Sequence, residues 1–162
     1  MPLNAQIALS IVSQESSTDE LSSQIRVTPA TYGLVLTDGT GANQCQVAFS
    51  DSKTIADNYD DGYRFSSMLD DRGLVSMTAV KVVYFKNTGT VSLDIGKNGS
   101  WTAGPFTTER GCIVPAGGCV VLVAPTAAGW STSEANAEIR VFNDNGSAGA
   151  YDILLIGEGT VS

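Results

Sequence analysis

The chain has 162 residues, nine Lys or Arg against seventeen Asp or Glu, no histidine, and a formal net charge of −8. That length suits one domain, able to bury about two-thirds of its unfolded surface without staples. The acidic balance and the scatter of the basic residues exclude nucleic acid and anionic membranes as principal partners. Glycine is frequent, charge is low and 43% of the chain is apolar. This is the composition of a β-rich fold with many turns, not of a disordered chain. No apolar run approaches the ~18 residues of a membrane-spanning helix. Residues 1–6 lack a basic n-region, so no signal peptide is expected and synthesis is expected in a cytoplasm.

In chain order, residues 5–12 alternate loosely (Ile7, Leu9, Ile11) and predict a first strand. Residues 13–23 are polar and predict a loop, or one helical turn capped at Ser17 or Thr18. Ile25 to Val27 predicts a short edge strand ended by Pro29. A boundary is drawn there: residues 1–30 form an arm and polar loop, residues 31–162 the main domain. Tyr32 to Leu36 predicts the next strand, and Thr37 to Gln44 has turn chemistry. Residues 45–56 continue with Val47, Phe49 and Ile55, before an acidic hinge at residues 51–62. Tyr63, Phe65, Met68 and Leu69 are expected core, and residues 70–73 a turn.

The richest stretch begins at Ala79 and runs Val80-Lys81-Val82-Val83-Tyr84-Phe85-Lys86. Strict alternation puts Val80, Val82 and Tyr84 on one face, with Lys81, Val83 and Phe85 on the other. A strand apolar on both faces is covered on both, so this is expected to be central. Asn87 to Thr90 reads as a hairpin turn into residues 91–95, and Asn98-Gly99 as a turn into a short strand over residues 101–106. Cys112 to Val114 and the second core run, Cys119 to Val123, read as a pair joined by a tight turn. Residues 126–136 are an excursion carrying Trp130, with room for one helical turn. Residues 137–142 and 151–156 close the fold. Eight to ten short strands with little helix predict an all-β fold, a two-sheet antiparallel β-sandwich of jelly-roll or Greek-key type.

The absence of histidine removes Ser-His-Asp and Cys-His catalysis and most zinc hydrolases. No Walker or dinucleotide loop occurs, and no acidic pair is singled out for glycoside chemistry. The reading is therefore no enzyme, no catalytic residue, no cofactor and no metal. The acidic run at Asp57, Asp60 and Asp61 departs from a calcium loop, with Tyr59 and Met68 at two ligand positions. Three cysteines give no framework. Cys112 and Cys119 leave a cross-strand disulfide open beside the plainer reading of free thiols. Trp130, between Gly129 and Ser131, is expected to be the more exposed tryptophan and an interface anchor. The candidate contact residues are thus Ile7, Leu9, Ile11, Trp130, Asp57, Asp60 and Asp61.

Residues 36–44 (Leu-Thr-Asp-Gly-Thr-Gly-Ala-Asn-Gln), 47–56 and 80–87 resemble small structural proteins of tailed bacteriophages. The similarity returns at residues 101–106, 114–118, 122–125 with Gly129-Trp130, and 151–157. It covers roughly residues 32–157 and is strongest to jelly-roll capsid cement, or decoration, proteins. The resemblance implies a virion protein made in a host bacterium's cytoplasm. It would sit on the outer capsid surface, bridge capsomers, bind the major capsid protein and form a homo-oligomer, a trimer or dimer. The rival it leaves open is a tail or baseplate sandwich that binds a host-surface glycan.

Overall fold

The computed structural model describes residues 3–19 and 22–162. Its regular structure is entirely strand: β1 (Ala5–Asp19), β2 (Ser22–Asp38), β3 (Gln44–Cys45), β4 (Val47–Ile55), β5 (Tyr59–Arg64), β6 (Met68–Asp70) and β7 (Gly73–Asn87). Then come β8 (Leu93–Lys97), β9 (Cys112–Val114), β10 (Cys119–Val123), β11 (Trp130–Ser131), β12 (Glu138–Asn143) and β13 (Gly149–Val161). The protein is an all-β fold whose antiparallel sheets pack together as a sandwich. The main sheet runs β10-β7-β13-β4, with β11 and β6 also paired to β7. The facing sheet runs β5-β12-β8-β9.

Period-two alternation fills the space between the sheets. Phe49, Ile55, Val83, Phe85, Ile153 and Leu155 face Leu93, Ile95, Ile139 and Val141 in one buried cluster. Trp101 closes it, with its ring 4.6 Å from Phe65 and its indole N–H donating to Ser131 O at 2.8 Å. The main sheet is apolar on its outer face too. There Val82 and Ile156 form a second buried cluster with Leu36 and Cys45. The cover on that side is the root of the β1–β2 hairpin, so β7 is central, as its sequence implies.

Several expectations are corrected. Residues 13–19 and 22–27 are neither loop nor helical turn; they pair in register from Ser13↔Thr28 to Asp19↔Ser22. Pro29 does not end a strand, and the boundary drawn at residue 30 falls inside β2. At Pro29 the strand β2 pairs with β1 alone, so the missing N–H has an open edge to face. Strand pairs expected as hairpins instead change sheet: β7 to β8, and β9 to β10. Cys112 and Cys119 therefore lie in different sheets, and all three cysteines are free. Residues 101–106 are irregular, and the 126–136 excursion holds the short β11 rather than helical turn. Leu69 is 75% exposed, because alternation aims Met68 inward and its neighbour outward.

The alternation of β7 also breaks. Val80 belongs to the inter-sheet cluster with Val83 and Phe85, and Val82 to the outer one. Register shifts against β13 cause this: Ile156 pairs Val82, Gly157 pairs Val80, Glu158 pairs Ala79 and Gly159 pairs Met77. Each β-bulge inserts one residue and inverts the facing of the residues beyond it. Lys81 is one inserted residue, which is how a lysine comes to be fully buried among the apolar residues of this strand. Gly157 lets the backbones close at that point; a Cβ there would sit 2.0 Å from Ala79 O. Gly157→Ala is expected to lower stability by roughly 1–3 kcal/mol, read as a fall in urea midpoint with an unchanged slope.

Candidate interaction surface

The hairpin is the feature that most clearly offers a surface. β1 has fifteen residues, about 50 Å of extended chain at ~3.4 Å per residue. Opposite residues of an antiparallel pair share a face. One face therefore carries Ala5 with Leu36, Ile7 with Leu34, Leu9 with Tyr32, and Ile11 with Ala30. The first two pairs sit on the outer cluster of the main sheet. The same apolar row then runs on: Leu9 is 49% exposed, Ile11 56% and Tyr32 43%. Between this row and the main sheet lies an open cleft of about 350 Å³, lined by Ile7, Ala8, Leu9, Tyr32, Val121 and Val123. Past Ile11 the ladder continues from Val12↔Pro29 to Asp19↔Ser22, and no sandwich strand pairs with it there among the described residues.

Of the expected contact residues, the structure brings Ile7, Leu9 and Ile11 onto one row. Ile7 is spent on the body; Leu9 and Ile11 are presented. Trp130 is the more exposed of the two tryptophans, as expected, but it is half-buried. β11 pairs it with Val80, and its side chain packs on the inter-sheet core. The acidic residues are elsewhere and engaged within the chain. Asp57 accepts from Gly146 N at 2.7 Å, Asp60 pairs with Arg140 at 2.9 Å, and Asp61 accepts from the Tyr151 hydroxyl at 2.9 Å. Asp60 and Asp61 hold β5 to β12 and β13, and Asp57 ties the turn before β5 to the β12–β13 turn. Tyr32 and Val121, which complete the exposed row, were missed. For Tyr32 a signal was present: pairing residues whose numbers sum to 41 sets apolar against apolar from Ala5 to Ile11. It was hidden because no Asn-Gly or Asp-Gly turn signature lies between Asp19 and Ser22.

Two polar constellations hold the surface in place. The first is Lys81, fully buried. Its ammonium donates to Thr126 O at 2.5 Å and Ala127 O at 2.7 Å, and reaches Gly41 O at 3.4 Å. Glu158 Oε1 lies 2.9 Å away, an ion pair aimed off hydrogen-bond geometry. One cation thus ties the β2–β3 turn, the segment after β10, and β13. The second joins β4, β5 and β13. The hydroxyls of Tyr63 and Tyr151 are 2.9 Å apart; Tyr63 also reaches Asp51 at 3.1 Å, and Tyr151 donates to Asp61. Burial above all pushes both phenols above their ordinary value, and the neighbouring aspartates push the same way. Neutral phenols bound to carboxylates brace the sheets and are not poised as nucleophiles. Among the described residues no His, Cys, Asp or Glu cluster suits a metal ion.

A scan against protein-family models finds no match, and a search of curated proteins finds no significant relative.

Lys81→Met leaves Glu158 and its carbonyls without their cation, an expected loss of about 3–5 kcal/mol for a broken buried pair. Adding Glu158→Gln should recover part of it, measured by chemical denaturation of both variants. The tyrosines set an alkaline limit. A phenol raised in the fold holds its proton longer than in the unfolded chain, whose value is 10.0. Their contribution is whole below pH 10 and is lost as pH climbs towards the folded values. The expected slope is about 1.4 kcal/mol per pH unit for each tyrosine. Tyr63→Phe with Tyr151→Phe should flatten that slope in denaturation curves taken above pH 10.

Proposed function

We propose that this chain is a non-catalytic structural protein of a tailed-phage particle, one that decorates the capsid exterior and bridges neighbouring capsomers. The observation that carries the reading is the hairpin. A sandwich with braced polar groups anchors an arm whose apolar row outruns its own sheet. Such an arm suits attachment to a neighbouring surface, and many copies around a shell multiply a weak contact. The resemblance of residues 32–157 to phage structural proteins supports the same role. The glycan-binding alternative has less support, since Trp101 is fully buried and its N–H is taken by Ser131.

Copy number in purified particles tests the placement: near parity with the shell protein is expected, and tens of copies or fewer would move the protein to the tail. A second test acts on the arm. Replacing residues 12–29 with an Asn-Gly turn joins Ile11 to its register partner Ala30 and leaves the root intact. The sandwich should keep its unfolding midpoint while occupancy on capsids falls at least roughly tenfold. Unchanged occupancy would remove the arm from the attachment.

A further inference from the structure

The main sheet ends on one side at β10, and this edge differs from the others. Edge strands are normally guarded by charge, proline, a bulge or shortness. β4 carries Asp51 and Lys53, β5 carries Asp60, Asp61 and Arg64, and β9 has three residues. β10 is Cys-Val-Val-Leu-Val, paired with β7 in unbroken register, with none of those guards. Asn87 N donates to Gly118 O, and Ala124 N donates to Lys81 O, so the even-numbered residues face β7. The N–H and C=O groups of Cys119, Val121 and Val123 therefore point to the open edge, where no strand pairs with them among the described residues.

The segments that build that edge and its cleft carry no charge, and the nearest charge is the exposed Lys86, opposite Cys119 on β7. Residues 1–14, 27–37 and 111–133 contain no Asp, Glu, Lys or Arg, in a chain with twenty-six charged residues. The fold places parts of all three together, with Ile7, Leu9, Tyr32, Val121 and Val123 around one cleft. For a chain of net charge −8, a face with no acidic residue on these segments is where an identical chain approaches with least repulsion. A strongly charged partner would find only Lys86 here, too little to recruit it. The row in the cleft also continues the apolar contact that already seats the hairpin on its own sheet.

We propose that a second copy of this chain docks on this face, β10 against β10 in antiparallel register about a twofold axis. Pairing centred on Val121 sets Cys119 opposite the partner copy's Val123. It satisfies the outward groups of both strands with on the order of six backbone hydrogen bonds. The two main sheets then form one continuous sheet, and the clefts beside the hairpins close against each other. The proposal stands apart from the capsid reading, because it needs no shell.

Sedimentation equilibrium of the purified full chain at micromolar concentrations tests it. A dimer is expected, and it should tighten as salt screens the net repulsion. Val121 is exposed, so Val121→Lys should fold normally by circular dichroism. It sets like charges opposite each other and should weaken the dimer roughly hundredfold. Leu9→Lys should weaken it as well, while Val35→Lys, on the hairpin's other face, should not. The chain with the shortened hairpin keeps Leu9 and β10 and should dimerise as the full chain does, whatever its behaviour on capsids. A monomer at every concentration, or a dimer indifferent to Val121→Lys, overturns the proposal. So would a monomer that loses shell binding on Val121→Lys, since the face would then belong to the shell protein.

Discussion

One buried ammonium fixes the geometry on which the outer surface depends. Lys81 enters the fold because a bulge in β7 takes it out of the ladder, and it is held there by carbonyls from two loops and by Glu158. The first loop carries the hairpin into the sandwich, the second leaves β10, and Glu158 lies on β13. A buried charge tolerates little displacement of its partners, since each lost contact leaves it desolvated and uncompensated. The hairpin root, the end of the β10 edge and the central strand pair are thus referred to a single point.

That arrangement explains why the main sheet is apolar on both faces. One face meets the second sheet, and the other meets the hairpin root. The bulges let β7 serve both, because each inversion moves the next apolar residue to the opposite side. Val80 and Val82, two apart in sequence, end in different clusters for this reason. The polar network at Tyr63 and Tyr151 performs the matching task at the β4–β5 side, where the two sheets come together.

The class of fold was legible because alternation and turn residues are local signals, and Val83, Phe85, Ile95, Val141 and Leu155 carry them plainly. Sheet membership was not. A turn such as Asn87 to Thr90 has the same residues whether it returns along its own sheet or crosses to the other. The difference lies in distant partners, Val114 for Leu93 and Ile153 for Phe85. The bulges were invisible for the same reason: Gly157 reads as an ordinary strand glycine until Ala79 is set against it. In the surface row, Leu9 and Ile11 were found because they alternate. Tyr32 was missed because its pairing runs through a polar stretch that reads as loop. The acidic run at Asp57, Asp60 and Asp61 looked available because sequence shows charge and hides the groups bonded to it.

The position of β13 has a consequence for how the protein comes to exist. β4 is the first strand of the main sheet to be synthesised, yet among the described residues it pairs with β13 alone, with Phe49 set against Leu155. β13 also separates β4 from β7. Until β13 is made, β7 can pair with β6, β10 and β11 but β4 has no strand to join among the described residues, whereas the hairpin contains both of its own strands early. The arm is therefore available before the body that orients it is complete, and β4 joins its sheet only once β13 has been made.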